Sequence, residues 1–149
     1  YTDGNSYEKT ELPANPDMDS VSEKGKDILE EQLSDLGIDV LKGLSYAGDD
    51  RNFYLEILEC FIDEYDAKVE LLHTYQKNIS EDNHFEAFSH LAHQLKGEAR
   101  GIGHTELGEK FYQLELASKE HREDRIKVLL DSTLDLWEQV VTSLKIFLK

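Results

Sequence analysis

Apolar side chains recur every three or four residues through most of the chain, which is the spacing of amphipathic helices. Two short helical segments come first, over 27–36 and 38–44, and glycine follows each of them. Four longer helices are predicted after them: about 50–77, from 80 or 82 to 101, about 105–120, and from about 124 to the end of the chain. No strand-like alternation competes with this pattern.

One face of each long helix supplies the predicted core. Its positions, helix by helix, are Phe53, Ile57, Cys60, Phe61, Tyr65, Leu72 and Tyr75; Phe85, Phe88, Ala92, Leu95, Ala99 and Ile102; Leu107, Phe111, Leu114 and Ala117; and Ile126, Leu130, Trp137, Val140, Val141, Leu144 and Phe147. Cys60 is the single cysteine, and we expect a small core residue there because no paired base accompanies it. Thr105 is the predicted N-cap of the third long helix.

Short connections join the four long segments, near 78–82, 101–104 and 120–124. They force successive helices to be antiparallel neighbours, so the predicted fold is all-α, an antiparallel up-down four-helix bundle with one or two short N-terminal helices. Residues 1–22 hold both prolines and few apolar residues, and they are predicted to form a linker or flexible tail. The bundle domain is then 23–149.

The formal net charge of −16 argues against nucleic acid or an anionic membrane as a partner, because both are polyanions. The chain has no signal peptide and no apolar run of about 18 residues, so we expect no membrane contact by this segment. A single cysteine fits a reducing compartment, and the predicted location is cytoplasmic. The chain starts at Tyr1 instead of methionine, which indicates a piece of a longer protein.

His93 lies on the polar face of the second long helix, opposite the predicted core. At 100° per residue, Lys96, Gly97 and Arg100 fall within about 60° of it around the helix axis. A glycine inside a helix costs roughly 1 kcal/mol, so Gly97 indicates close approach of another protein to the backbone. An exposed neutral imidazole offers a nitrogen lone pair to phosphorus, and Lys96 is expected to supply positive charge to the resulting phosphohistidine.

A second group of site residues is expected across the next turn. A turn centred near 103–104 places Glu115 opposite His93 and Lys119 one turn beyond. Glu115 is predicted to orient the ring through its N–H, and it would also repel a bound phosphoryl group. His90 shares the exposed face but lacks the following lysine and glycine, so we expect it to contact a partner, together with Arg100 and Lys119.

The pattern His-x-Leu-Lys-Gly-x5-Gly-x3-Leu-x6-Leu-Glu begins at His93 and ends at Glu115. It resembles the signature of histidine-containing phosphotransfer (HPt) domains, and the resemblance covers about 36–148. It implies that His93 carries a phosphoryl group between the aspartates of response-regulator receiver domains in a two-component phosphorelay. The chain departs from the family pattern at Glu98, where serine is frequent, and at Gly101, where asparagine is frequent.

The resemblance also implies a phosphocarrier whose partners are receiver domains, including the receiver of its own parent protein. We expect that parent to be a bacterial hybrid sensor histidine kinase. No cofactor is expected in this chain, which has no recognisable ATP-binding segment and no acidic cluster for Mg²⁺. The phosphoryl donor and Mg²⁺ must then come from the partner receiver.

Two alternative hypotheses stay open at this point. One is a helical adaptor that keeps the fold without phosphotransfer, which the departures at Glu98 and Gly101 allow. The other is a metal-binding bundle with Glu86, His90, His93 and Glu115 as ligands. Ligands in such bundles project inward, whereas these side chains are expected to point outward.

Overall fold

The computed structural model describes residues 28–148, and every regular element in that range is a helix. The helices are α1 (28–35), α2 (Val40–Tyr46), α3 (Arg51–Asp63), α4 (Tyr65–Lys77), α5 (His84–Gly101), α6 (Thr105–Lys119) and α7 (Glu123–Leu148). The predicted tail over 1–22 lies outside the described residues. The all-α prediction is confirmed.

Four helical segments form the bundle within residues 32–148. The α5 helix packs most extensively against α6, and α6 packs against α7. The α4 helix lies against α5, and α3 lies against α7, so α3 and α4 together take the place of the first long helix. Short turns join α5 to α6 and α6 to α7, so the helices run antiparallel as predicted. No helix within residues 28–148 has the length and hydropathy needed to cross a bilayer.

The predicted single helix over 50–77 is interrupted at Glu64, where φ is −86° and ψ is −6°. The Glu64 N–H still donates to the Cys60 carbonyl, and the Glu64 carbonyl accepts from the Lys68 N–H. Backbone hydrogen bonding therefore continues through the joint. Neither proline nor glycine marks this position, so the periodicity of the sequence gives no sign of it.

The core face of α3 also differs from the prediction. Tyr54, Leu58, Phe61 and Ile62 are its buried residues. Cys60 is exposed, which corrects its placement in the core, and Phe53 of the same predicted stripe is 49% exposed.

One buried hydrogen bond explains this rotation of the α3 helix. The Tyr54 hydroxyl donates to the Ile102 carbonyl at 2.7 Å. Gly43 of α2 makes room for the tyrosine, because a Cβ at Gly43 would lie 2.5 Å from its ring. The α3 helix therefore turns its 54, 58 and 61 positions inward, one residue away from the stripe that hydropathy alone favours.

The turn between α5 and α6 is fixed by backbone contacts and by one buried histidine. Gly103 adopts φ +96°, a conformation that favours glycine, and its carbonyl accepts from the Asp39 N–H at 2.9 Å. His104 is fully buried and caps α6, because its Nδ1 accepts from the Leu107 N–H at 3.1 Å. Thr105 is instead the first residue of α6, so the predicted N-cap is wrong by one position.

Candidate functional site

The α5 and α6 helices bring His93 and Glu115 into direct contact. His93 lies in the middle of α5, and its side chain is 65% exposed. Its Nδ1 is 3.0 Å from Oε2 of Glu115, which is buried on the facing side of α6. The short turn and the antiparallel packing set both residues at one height, so the structure places this pair where the sequence predicts it.

Glu115 also contacts both predicted lysines. Its Oε1 is 3.0 Å from Lys96 Nζ, and its Oε2 is 3.0 Å from Lys119 Nζ. Burial raises the pKa of this carboxyl, but the two lysines and the hydrogen bond with His93 outweigh burial and lower it to about 2. Glu115 is therefore ionised at neutral pH, even though only 4% of its side chain is exposed.

An ionised carboxylate can only accept hydrogen bonds, and this fixes the tautomer of the neutral His93 ring. Nδ1 carries the proton that it donates to Glu115. Nε2 keeps its lone pair. The imidazole is thus oriented by one nitrogen and left free to react at the other.

Tyr112 is a site residue that the sequence reasoning missed. Lys96 Nζ lies 4.9 Å from the centre of its ring, and the Arg100 guanidinium lies 5.9 Å from it. Arg100 also lies 4.0 Å from Glu109. Tyr112 precedes Glu115 by three residues on α6, so helical spacing alone would have placed the two side chains on the same face of that helix.

Gly97 and Gly101 leave the α5 backbone uncovered beside His93. A Cβ built on either glycine would meet no atom within 4 Å, so internal packing does not require a glycine at these positions. Gly101 also borders a cavity of about 250 Å³, whose other lining residues include Tyr46, Ile57, Cys60 and Ile102. The α5 backbone is therefore not covered by side chains at Gly97 and Gly101, between His93 and an apolar groove.

His90 lies one turn before His93 and is exposed. It borders a second cavity, together with Lys119 and His121. The His121 ring stacks on the Phe85 ring, with 4.2 Å between the ring centres. Within residues 28–148, no three His, Cys, Asp or Glu side chains are arranged to hold a metal ion. The ligands of the metal-binding hypothesis, which are Glu86, His90, His93 and Glu115, therefore do not form a metal site in that range.

A family model, the Hpt domain, matches residues 56–144. The match begins in α3, ends in α7 and includes His93, Lys96, Gly97, Glu115 and Lys119. Comparison with curated proteins and with solved structures gives no match to the chain. Because the family match spans more than half of the chain, the chain belongs to the Hpt domain family.

Proposed function

We propose that this chain accepts a phosphoryl group on His93 from the aspartate of one receiver domain and passes it to the aspartate of another. Hpt domains act in phosphotransfer within two-component signalling, and they interact with response-regulator receivers. The observation that carries the assignment to His93 is its contact with Glu115, which orients an imidazole that is two-thirds exposed.

The proposed step is an in-line displacement at phosphorus. The Nε2 lone pair of His93 attacks the aspartyl phosphate, and a bond forms between nitrogen and phosphorus. The bond from phosphorus to the aspartate oxygen breaks, and its electron pair returns to the aspartate as a carboxylate. The Nδ1 proton stays in place, held by Glu115. Transfer to the second receiver reverses these events.

Positioning and charge are what such a step requires, because its transition state is loose and no strong base is needed. The chain supplies an oriented ring and two lysines beside it. The receiver supplies the acyl phosphate and, in this proposal, the Mg²⁺. The chain is then a cytoplasmic phosphocarrier, and the hybrid-kinase parent stays a prediction from the resemblance.

The surface around His93 supports docking of a protein domain. Gly97 and Gly101 allow close approach to α5, since neither position carries a side chain. The groove beyond Gly101 is flanked by Tyr46, which is well exposed for an aromatic residue. Exposed aromatic residues beside an apolar groove are typical of interaction surfaces.

The proposal is tested by incubating the purified chain with receiver domains that carry a labelled aspartyl phosphate. We expect the label to move to this chain in a form that acid removes and base does not, which is the behaviour of phosphohistidine. Receivers with asparagine in place of the acceptor aspartate are the control. A panel of receivers that leaves the folded chain unlabelled would contradict the proposal and favour the adaptor hypothesis.

A further inference from the structure

Two lysines share one buried carboxylate in this site. Lys96 and Lys119 each place Nζ 3.0 Å from an oxygen of Glu115. With a neutral imidazole, the cluster holds two cations against one anion. A buried carboxylate must keep a partner, because an unpaired charge away from water is costly. Since either lysine meets that need, the other is available for a second anion.

The two lysines differ in how firmly they are held. The Lys96 side chain is 14% exposed and lies against the ring of Tyr112. The Lys119 side chain is 60% exposed, and it lies one turn after Glu115 on α6. A lysine has a flexible four-carbon stem, so an exposed one can change partners with little loss of packing. Lys119 is therefore the mobile member of the pair.

Lys119 is also close to the reacting ring. Its Nζ and the Nδ1 of His93 contact the same oxygen, Oε2 of Glu115, each at 3.0 Å. The two nitrogen atoms are thus separated by no more than twice that distance. The Lys119 ammonium group is therefore adjacent to the imidazole ring that receives the phosphoryl group.

We infer that Lys119 moves from Glu115 to the phosphoryl oxygens when His93 is phosphorylated, while Lys96 remains on Glu115. The inference rests on the proposed function and deepens it, because it names the cation that binds the transferred group. A phosphoryl group brings nearly two negative charges, so it attracts an ammonium group more strongly than a carboxylate does. Lys96, the cation expected from the sequence, instead serves to keep Glu115 paired.

The experiment uses phosphoramidate as the phosphoryl donor. The His93 Nε2 forms a bond to phosphorus, the bond from phosphorus to the ammonia nitrogen breaks, and ammonia leaves. ³¹P NMR then follows the acid dissociation of the bound phosphoryl group, with the signal assigned by its absence in His93→Gln. A contacting cation favours the doubly charged form, so Lys119→Gln should lower the acid dissociation constant about threefold, as for a partly exposed ion pair.

Lys119→Arg should keep most of the effect, because it retains the charge. Lys110→Gln is the matched control: it removes one charge from the same helix, and the Lys110 ammonium faces Ser132 of α7 instead of His93. Thermal unfolding checks that every variant is folded. If Lys119→Gln behaves like Lys110→Gln while His93 is phosphorylated, the inference is wrong and the proposed function stands. If a phosphorylated receiver leaves His93 without phosphate, both are wrong.

Discussion

The Nδ1 atom of His93 lies 3.0 Å from Oε2 of Glu115, although 22 residues separate the two in sequence. The turn at 102–104 makes this contact possible, because it reverses the chain in three residues and holds α6 against α5. The carboxylate orients the ring, sets its tautomer and pairs with two lysines. Glu115 is therefore the residue on which the geometry of the site depends most.

Glu115→Gln and Glu115→Leu separate the orienting role of this residue from its charge. Glutamine keeps an oxygen that accepts from the His93 ring, whereas leucine does not. We expect Glu115→Leu to slow transfer from a phosphorylated receiver about tenfold, the effect of losing one strong hydrogen bond, and Glu115→Gln to slow it much less. Both should lower the free energy of unfolding by about 1–2 kcal/mol, since Lys96 loses its partner.

Single-turnover transfer, measured per folded molecule at one salt concentration, checks the kinetic part, and urea unfolding checks the stability. Equal rates for the glutamine and leucine variants would show that the contact between Glu115 and His93 does not orient the ring.

Gly97→Leu should slow transfer without weakening the fold. No atom lies near a Cβ at this position, and leucine is a better helix former than glycine, so the free energy of unfolding should stay level or rise by up to about 1 kcal/mol. Transfer should slow because the new side chain stands where the receiver approaches α5. Thermal unfolding and transfer kinetics on the same sample measure both effects.

Gly43→Ala is the matched control for that variant. Its Cβ would lie 2.5 Å from the Tyr54 ring and 2.7 Å from the Ile102 carbonyl oxygen, so it should lose stability and keep normal transfer per folded molecule. A Gly97→Leu variant that is unstable yet transfers normally would instead assign Gly97 to internal packing.

The sequence was sufficient for the parts of the site that depend on helical periodicity. His93, Lys96 and Gly97 share one face of α5 because that helix is regular over its whole length. Glu115 could be placed opposite His93 because only three residues connect two antiparallel helices. The helical periodicity of α5 and α6, together with the short turn between them, therefore determines where His93 and Glu115 lie.

What the sequence did not predict depends on particular tertiary contacts. The hydrogen bond from Tyr54 to the Ile102 carbonyl turns α3 and leaves Cys60 exposed. The pairing of Lys96 with Glu115 arises from packing between α5 and α6, which periodicity does not encode. His104 acts as the cap because its ring is buried at the turn, whereas the adjacent Thr105 has the commoner side chain for that role.

His104 should make the stability of the fold depend on pH. Burial lowers the pKa of its imidazole from the ordinary 6.5, and the backbone carbonyl of Leu36 opposes burial only in part. The unfolded chain then binds a proton that the folded chain does not, so this contribution to stability is complete above 6.5 and is lost as the pH falls below it.

Replacement of His104 by asparagine keeps a cap acceptor that does not titrate. Between about pH 7.5 and pH 5.5 the wild-type protein should therefore lose more stability than His104→Asn, measured by urea unfolding. His73→Asn, at an exposed position, is the control and should follow the wild type. Parallel pH profiles for the wild type and His104→Asn would contradict this account of the cap.

The identity of the phosphorylated residue is the central claim, and labelling of single histidine variants tests it most directly. His93→Gln and His90→Gln are compared with the wild type after incubation with the same phosphorylated receiver. Both positions are exposed on α5, so both variants should fold. We expect His90→Gln to take up the label and His93→Gln to take up none. Label on folded His93→Gln, or its loss from His90→Gln alone, would contradict the assignment of His93 as the phosphoryl acceptor.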